Sequence, residues 1–274
     1  MIADAASLTD WPAPPVLIAG PTASGKSALA LAIAEESGGA VINADALQVY
    51  AEWRVLTARP SAEEEGRVPH HLYGHVPGAA PWSVGAWLRE VAALLPRLRA
   101  EGRRPVIVGG TGLYFTALTK GLTALPPVTP VIRAEAEARL AALGRDAFAA
   151  ELARRDPETA ARIDAANPAR LLRAWETLAQ TGEGLATHWA RTPPPLLPLS
   201  VCETRLVAPD RETLYARCDA RFDAMLADGG LDEVRAARAA DPPLTPQAWN
   251  ALGARELAAH LDGATPLAAA AAAA

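Results

Sequence analysis

Residues 16–27, VLIAGPTASGKS, limit what this chain can fold into more than any other stretch. A short apolar run reads as a buried parallel strand. It opens directly into a glycine-bounded loop ending in Lys-Ser, and an alanine-rich helical stretch follows. This is G-x-x-x-x-G-K-[ST] with strand, loop and helix all in place, an arrangement that a chance glycine turn before a helix does not reproduce. Gly20 and Gly25 let the backbone curl so that successive N–H groups point inward. The following helix adds its positive end, Lys26 a point charge, and Ser27 a hydroxyl for a divalent metal. The pattern implies a ligand carrying a diphosphate or triphosphate, without naming a reaction.

The chain around that loop alternates: VLIAG, SALALAIAEE, AVINAD, a helical stretch over residues 84–98, then PVIVGG. Such alternation predicts an α/β fold of the phosphate-loop type, a parallel sheet with flanking helices and ligands gathered beyond the carboxyl ends of its strands. Asp45 follows the second strand and Gly109, Gly110, Thr111 and Gly112 the third, so all three loops should open on one edge. After Gly121 the proline-broken LTALPPVTP leads into residues 131–181, continuously helix-favouring with no strand signal. A second proline run at residues 192–198 closes this insertion, and SVCETRLVAP reads as a strand returning to the sheet. Residues 211–240 form a long helical pattern with a break at Gly229-Gly230. The expected organisation is a core of residues 1–120 and 200–274, with residues 121–199 as an all-helical insertion. The seven alanines 268–274 read as a truncation, or as a helix written as alanine, because no terminating signal follows.

A chain of 274 residues, half of them hydrophobic, can bury one large core or a core with an appended unit. No run approaches a membrane span, and the opening MIADAASLTDWPAPP is acidic and proline-rich where a signal peptide would be basic and then apolar. The expectation is a cytoplasmic protein with no membrane partner. A formal net charge of −5 argues against a protein that coats nucleic acid uniformly, while leaving room for a local basic face. Lys26 and Lys120 are the only lysines, so the lysine of the loop is not one of a crowd. Cys202 and Cys218 lack C-x-x-C spacing or a companion histidine cluster and read as reduced, partly buried thiols.

Three further places carry chemistry. Asp45, just beyond a buried strand in VINADALQVY, is placed to bind metal or take a proton from an attacking group; as an aspartate before a helical stretch, it could equally cap a helix. Gln48 can donate to and accept from a base edge. In VGGTGLYF the glycines permit close backbone approach to a ligand that Thr111 could touch. In NPARLLRAWE, Arg170 and Arg173 lie three apart on one helix face, suited to a phosphate backbone. Residue pattern alone favours instead a solvated arginine face pairing with Glu176.

Taken in order, GPTASGKS, INADALQVY, LTARP, PHHLYG, PVIVGGTGLYF, NPARLLRAWE, LYARCDARFDAMLADGGLDEV and ALGARE resemble the tRNA dimethylallyltransferase family over residues 16–267. The resemblance implies transfer of a dimethylallyl group from dimethylallyl diphosphate, with Mg²⁺, to the exocyclic amine of the adenosine beside the anticodon (position 37) in tRNAs reading codons that begin with U. Gly20, Pro21, Thr22, Ala23, Ser24, Gly25, Lys26 and Ser27 then form the diphosphate cradle, with Thr22 and Lys26 at the leaving group and Ser27 on the metal. Asp45 is the implied general base, and Arg221 neutralises the departing diphosphate. Implied contacts to the anticodon stem-loop come from Asp45, Ala46, Leu47 and Gln48, from Thr111 and Arg133, and from Ala169, Arg170, Leu171, Leu172 and Arg173. Asn250, Ala251, Leu252, Gly253, Ala254 and Arg255 complete that set. A monomer suffices for every role.

The residue types suit such chemistry. Breaking an allylic carbon–oxygen bond builds charge on the diphosphate, where preorganised cations help most. An adenine amine is a poor nucleophile that gains from a base, and the target base must leave its stack to reach the donor. The chain departs from the family pattern at Ala46, usually serine, at Leu56, usually glycine, and at Ala254, usually aromatic. The family pattern continues past this point with an arginine- and aromatic-rich helix, so the sequence as given is expected to bind tRNA more weakly than a full-length parent. A phosphate-loop small-molecule kinase (ATP-binding), an isopentenyltransferase acting on free adenine nucleotides and a nucleotide-binding switch stand as alternatives. DALQVY, GGTGLYF and the helical insertion favour tRNA.

Overall fold

The computed structural model describes residue 11 and residues 13–274; most of the acidic, proline-rich opening lies outside the described residues. The chain forms two compact units, one running to Lys120 and resuming at Leu196, the other Gly121–Pro195.

In the first unit β1 (Val16–Ala19), β2 (Ala40–Asn43), β3 (His70–His71) and β4 (Pro105–Gly109) alternate with α1 (Lys26–Ser37), α2 (Ala62–Arg67), α3 (Val84–Ala100) and α4 (Gly112–Lys120). The second unit holds α5 (Pro130–Leu143), α6 (Arg145–Arg155), α7 (Pro157–Ala160), α8 (Pro168–Thr181) and α9 (Leu185–Ala190). The first then resumes with β5 (Glu203–Leu206), α10 (Arg211–Ala227), α11 (Gly230–Arg238), α12 (Ala254–Leu261) and α13 (Leu267–Ala273). No described helix is long and apolar enough to cross a membrane.

The five strands are all parallel, in the order β3-β2-β4-β1-β5. Sheets of this kind are covered on both faces, which is why β1, β2 and β4 read as unbroken apolar runs rather than alternating ones. Alternation survives in which face each residue serves. Leu17, Ile42 and Ile107 pack against Trp87, Val91 and Leu94 of α3 and Leu118 of α4. Val16, Ile18, Val41, Val106 and Val108 pack against Ala30, Leu31 and Ala34 of α1. A third cluster joins Tyr50, Trp53 and Leu56 to Phe222, Met225, Val234 and Leu257 of α10 to α12. There Leu56, the departure from glycine, is fully buried and fills space beside Gly230.

Residues 131–181 are helical and hold no strand, as their composition suggests, but the helices are separate. Gly144 adopts φ +74°, and Asp156-Pro157 and Asn167-Pro168 each pair an aspartate or asparagine cap with proline at the first helical position, so four helices result. The return to the core comes at Leu196 rather than at residue 200. Leu197 is already buried among the α3 and α4 side chains and donates its N–H to the Leu118 carbonyl. The break expected at Gly229-Gly230 is present, with Gly229 at φ +98° between α10 and α11.

Candidate active site

The parallel order places the ends of β1, β2 and β4 side by side, so residues 20–27, Asp45 and Thr111 share one edge of the sheet. The first loop is shaped by positive φ at Ala23 (+60°) and Gly25 (+92°). Gly20 has to be glycine because a Cβ would press on the Val207 carbonyl and on Ser24 Oγ. The amides at the start of α1 lack intrahelical partners and are available to an anion. Ser24 Oγ is buried without a hydrogen-bond partner, a hydroxyl that an incoming phosphate oxygen could satisfy. Lys26 folds back over the loop, donating to the Pro21 carbonyl at 3.0 Å.

Burial lowers the pKa of Lys26, with Asp45 opposing and Arg221 adding to the shift. Arg221 is lowered in turn by burial, against the pull of Cys218 and Asp45. Lys26, Asp45 and Arg221 therefore lie within electrostatic reach of one another, although the start of α1, the turn after β2 and α10 supply them from distant parts of the chain. Neither cation forms an ion pair among the described residues. Two partly desolvated positive charges without an ion pair among the described residues, beside the free amides at the start of α1, make an anion site. Cys218, one turn before Arg221 on α10, brings its Sγ to 4.0 Å from the Thr22 carbonyl and rests against the same loop.

Asp45 caps a turn rather than the helix its sequence allowed. Its Oδ1 accepts from the N–H groups of Leu47 (2.9 Å) and Gln48 (3.4 Å). Oδ2 has no hydrogen bond among the described residues and faces Gly110, where there is no side chain. The loop after β4 is fastened to that turn. Thr111 N donates to the Ala44 carbonyl, and Ala46 N donates to Thr111 Oγ1 at 2.9 Å. Gly109 approaches Ala44 so closely that a Cβ would collide with its carbonyl. Gln48 is half committed, since its Nε2 donates to the Thr57 and Ala58 carbonyls at 2.8 and 3.0 Å, so the expected two-way reading of a base is reduced to its Oε1 acceptor.

A cavity of about 270 Å³ opens beside the phosphate loop, bounded by Lys26, Ser27 and Arg221 on one side and by Ala58, Arg59, Glu64, His70 and Tyr73 on the other. These five residues lie in or beside LTARP and PHHLYG, yet residue types alone gave them no role. Burial raises the Tyr73 phenol far above its ordinary range, so it stays a neutral hydroxyl.

The other expected contact residues fall into two groups. Arg133, Ala169, Arg170, Leu171, Leu172 and Arg173 belong to the second unit. There Arg133 and Arg173 flank the buried Glu176 carboxylate at 3.5 and 3.8 Å, as the solvated-face reading of the helix anticipated for Arg173. Leu171 is core, and Arg170 is exposed. In the first unit Ala251 and Ala254 are buried, and Gly253 leaves room for the Phe222 ring. Arg255 is bound to Asn250 Oδ1 at 2.7 Å and to the Pro246 and Trp249 carbonyls, an arginine that shapes its own loop.

The parallel sheet, the strand-loop-helix at β1 and the cations over it define a phosphate-loop α/β protein with a helical second unit. Comparison with known proteins narrows this further. The IPP transferase family model matches residues 48–274 and the isopentenyl transferase model residues 15–68, and the chain belongs to the IPP transferase family. It is 60% identical over 253 residues to a tRNA dimethylallyltransferase of Cereibacter sphaeroides, covering 92% of this chain and 78% of that protein. Identity to the tRNA dimethylallyltransferase of Dinoroseobacter shibae is 56% over 252 residues, 91% of this chain and 82% of the other. Among solved structures, the tRNA isopentenylpyrophosphate transferase of Bacillus halodurans is similar with a TM-score of 0.62 at 31% identity, over 94% of this chain and 80% of that one.

Proposed function

We propose that this chain transfers the dimethylallyl group from dimethylallyl diphosphate to the exocyclic amine of the adenosine beside the anticodon of tRNA, in the cytoplasm and as a single chain. One observation carries the reading: Lys26 and Arg221, neither in an ion pair among the described residues, line one cavity beside the phosphate loop, within electrostatic reach of the Asp45 carboxylate at the edge where β1 and β2 end.

The reaction follows from those positions. The diphosphate sits on residues 20–27, with Lys26 and Arg221 on the oxygens that gain charge as the allylic carbon–oxygen bond breaks. Thr22 and Ser24 add hydroxyls at the same loop. The adenine amine forms its new bond to the allylic carbon, and Asp45 Oδ2, the oxygen without a hydrogen bond among the described residues, accepts the proton the amine gives up. Asp45 Oδ1 stays bound to its turn and holds the carboxylate in place. Thr111 keeps the turn in register through Ala46, while Arg170 offers an exposed cation for the tRNA backbone.

A divalent metal, Mg²⁺ in this reading, fits the residues present. Among the described residues no cluster of three or more His, Cys, Asp or Glu side chains forms a protein cage. Mg²⁺ commonly binds instead through substrate phosphates, water and one or two protein oxygens. The exposed Ser27 hydroxyl would hold it, and its charge would add to that of Lys26 on the leaving diphosphate.

The deciding assay measures transfer of radiolabelled dimethylallyl to unmodified tRNA, beside Asp45→Asn and parallel reactions with AMP and ATP. Label should enter tRNA, and the variant should lose about 10²- to 10⁴-fold in kcat. Transfer to AMP, or ADP release from ATP, without label in tRNA would overturn the reading.

A further inference from the structure

We propose that Glu233 is a positioning residue for the adenosine-binding turn and acts through the amide of Gln48. The inference rests on the reading above and extends it to a residue 185 positions away in the chain. Glu233 lies in the first turn of α11, and its carboxylate reaches the loop that follows Trp53. Oε1 accepts the N–H groups of Arg54 (2.8 Å) and Val55 (2.7 Å), and Oε2 accepts that of Leu56 (3.0 Å). Three consecutive amides on one carboxylate hold this loop as a fixed piece, since hydrogen bonds to a charged acceptor are the strong ones.

The far end of that piece carries the carbonyls of Thr57 and Ala58, and Gln48 Nε2 donates to both. Both acceptors are carbonyls, so the amide has one orientation, with its nitrogen toward the loop. Oε1 is left for a donor. The main chain of Gln48 is held as well, its N–H by Asp45 Oδ1 and its carbonyl by Gly74 N at 2.9 Å. Ala58 accepts a left-handed φ of +47° in this arrangement, a strained conformation that persists only where its surroundings impose it. An adenine amine has two hydrogens. With Asp45 taking one, Gln48 Oε1 is the acceptor in the same turn for the other, and Glu233 fixes where that acceptor points.

In the test, Glu233→Gln keeps the size of the side chain but sets an NH₂ group against at least one of the three amides. We expect the KM for an anticodon stem-loop to rise roughly tenfold, the loss of about one good hydrogen bond. Inorganic pyrophosphate binding, measured by calorimetry, should stay within twofold, and so should the KM for dimethylallyl diphosphate. Gln48→Ala should give a similar rise, and the double variant should be no worse than twofold beyond the worse single, because the two act in series. Amide hydrogen exchange at residues 54–56 should accelerate in Glu233→Gln, a readout that needs no substrate. Additive effects, an unchanged KM for the stem-loop, unchanged exchange, or loss of pyrophosphate binding would each overturn the assignment and leave Glu233 a general structural residue. A wild-type chain that modifies no tRNA removes the substrate reading and this role with it. One that modifies tRNA while the variants behave additively removes the role alone.

Discussion

Arg221 of α10 and Arg139 of α5 both project from long helices, and the chain uses them in opposite ways. Arg221 is half-buried near Lys26 and the phosphate loop with no ion pair, so part of its hydration is already gone and nothing in the described residues replaces it. Arg139 grips both oxygens of the buried Glu151 at 2.8 Å, while Arg155 approaches the same carboxylate and lies over the Trp175 ring. In the helical unit Arg139 and Arg155 neutralise the buried Glu151, and Arg133 and Arg173 the buried Glu176. The phosphate-loop edge leaves its cations unsatisfied. A count of arginines says little about binding capacity until each one's partner is known.

Replacing Trp175 should have the largest effect on this contrast. Its ring is 98% buried against Phe148 and its Nε1 donates to Glu151, so Trp175→Ala should cost the helical unit about 3–5 kcal/mol. Denaturant unfolding should show an early transition, and pyrophosphate binding to the first unit should persist; a loss of both together would break the comparison. Next in size, Lys26→Ala or Arg221→Gln should lower kcat about 10²- to 10³-fold, as for other preorganised charge stabilisers. Melting temperature should hold or rise, because an uncompensated cation is being removed.

Acid should act on the other side. Hydrogen bonding to Arg139 holds the Glu151 carboxyl below its ordinary 4.5, with the Trp175 bond adding to the effect. Its folded pKa is depressed, so the stability it contributes is complete above about pH 4.5 and is lost as pH falls through the lower folded value. Glu151→Gln should flatten that acid limb by about 1 kcal/mol, a small figure because Arg139 is half-exposed. The smallest effects belong to two neighbours on α8. Arg170→Ala should weaken tRNA binding and reduce its salt slope by about one, without changing stability. Arg173→Ala, which takes a partner from Glu176, should shift melting more than affinity.

The legible parts of the molecule are those whose signals are local. The loop at residues 20–27 carries its conformation in its own glycines, and β1, β2 and β4 announce themselves as short apolar runs. β3 is only His70–His71 and exists because it pairs with Val41 and Ile42; nothing in its composition marks a strand. α2 carries a capping box, Ser61 with Glu64, that six residues of helix made easy to overlook. Read as helix-favouring throughout, residues 131–181 hid stop signals at Gly144, Asp156-Pro157 and Asn167-Pro168 that were visible one by one. Within the site, Lys26 and Asp45 could be placed from their own loops. Arg221 entered through the family resemblance, and Glu233 was beyond reach because its partners lie some 180 residues away and are backbone amides.

The close approach of Gly109 to Ala44 bears on how a survey of random substitutions in this chain would read. Gly109 touches no substrate in the mechanism above, yet any side chain there would drive apart the two loops that carry Asp45 and Thr111. Scored by activity alone, it would rank beside Lys26 as intolerant. A tolerance map of this chain would thus mark a splint and a reagent with the same colour, and only a separate measure of folded yield would tell them apart.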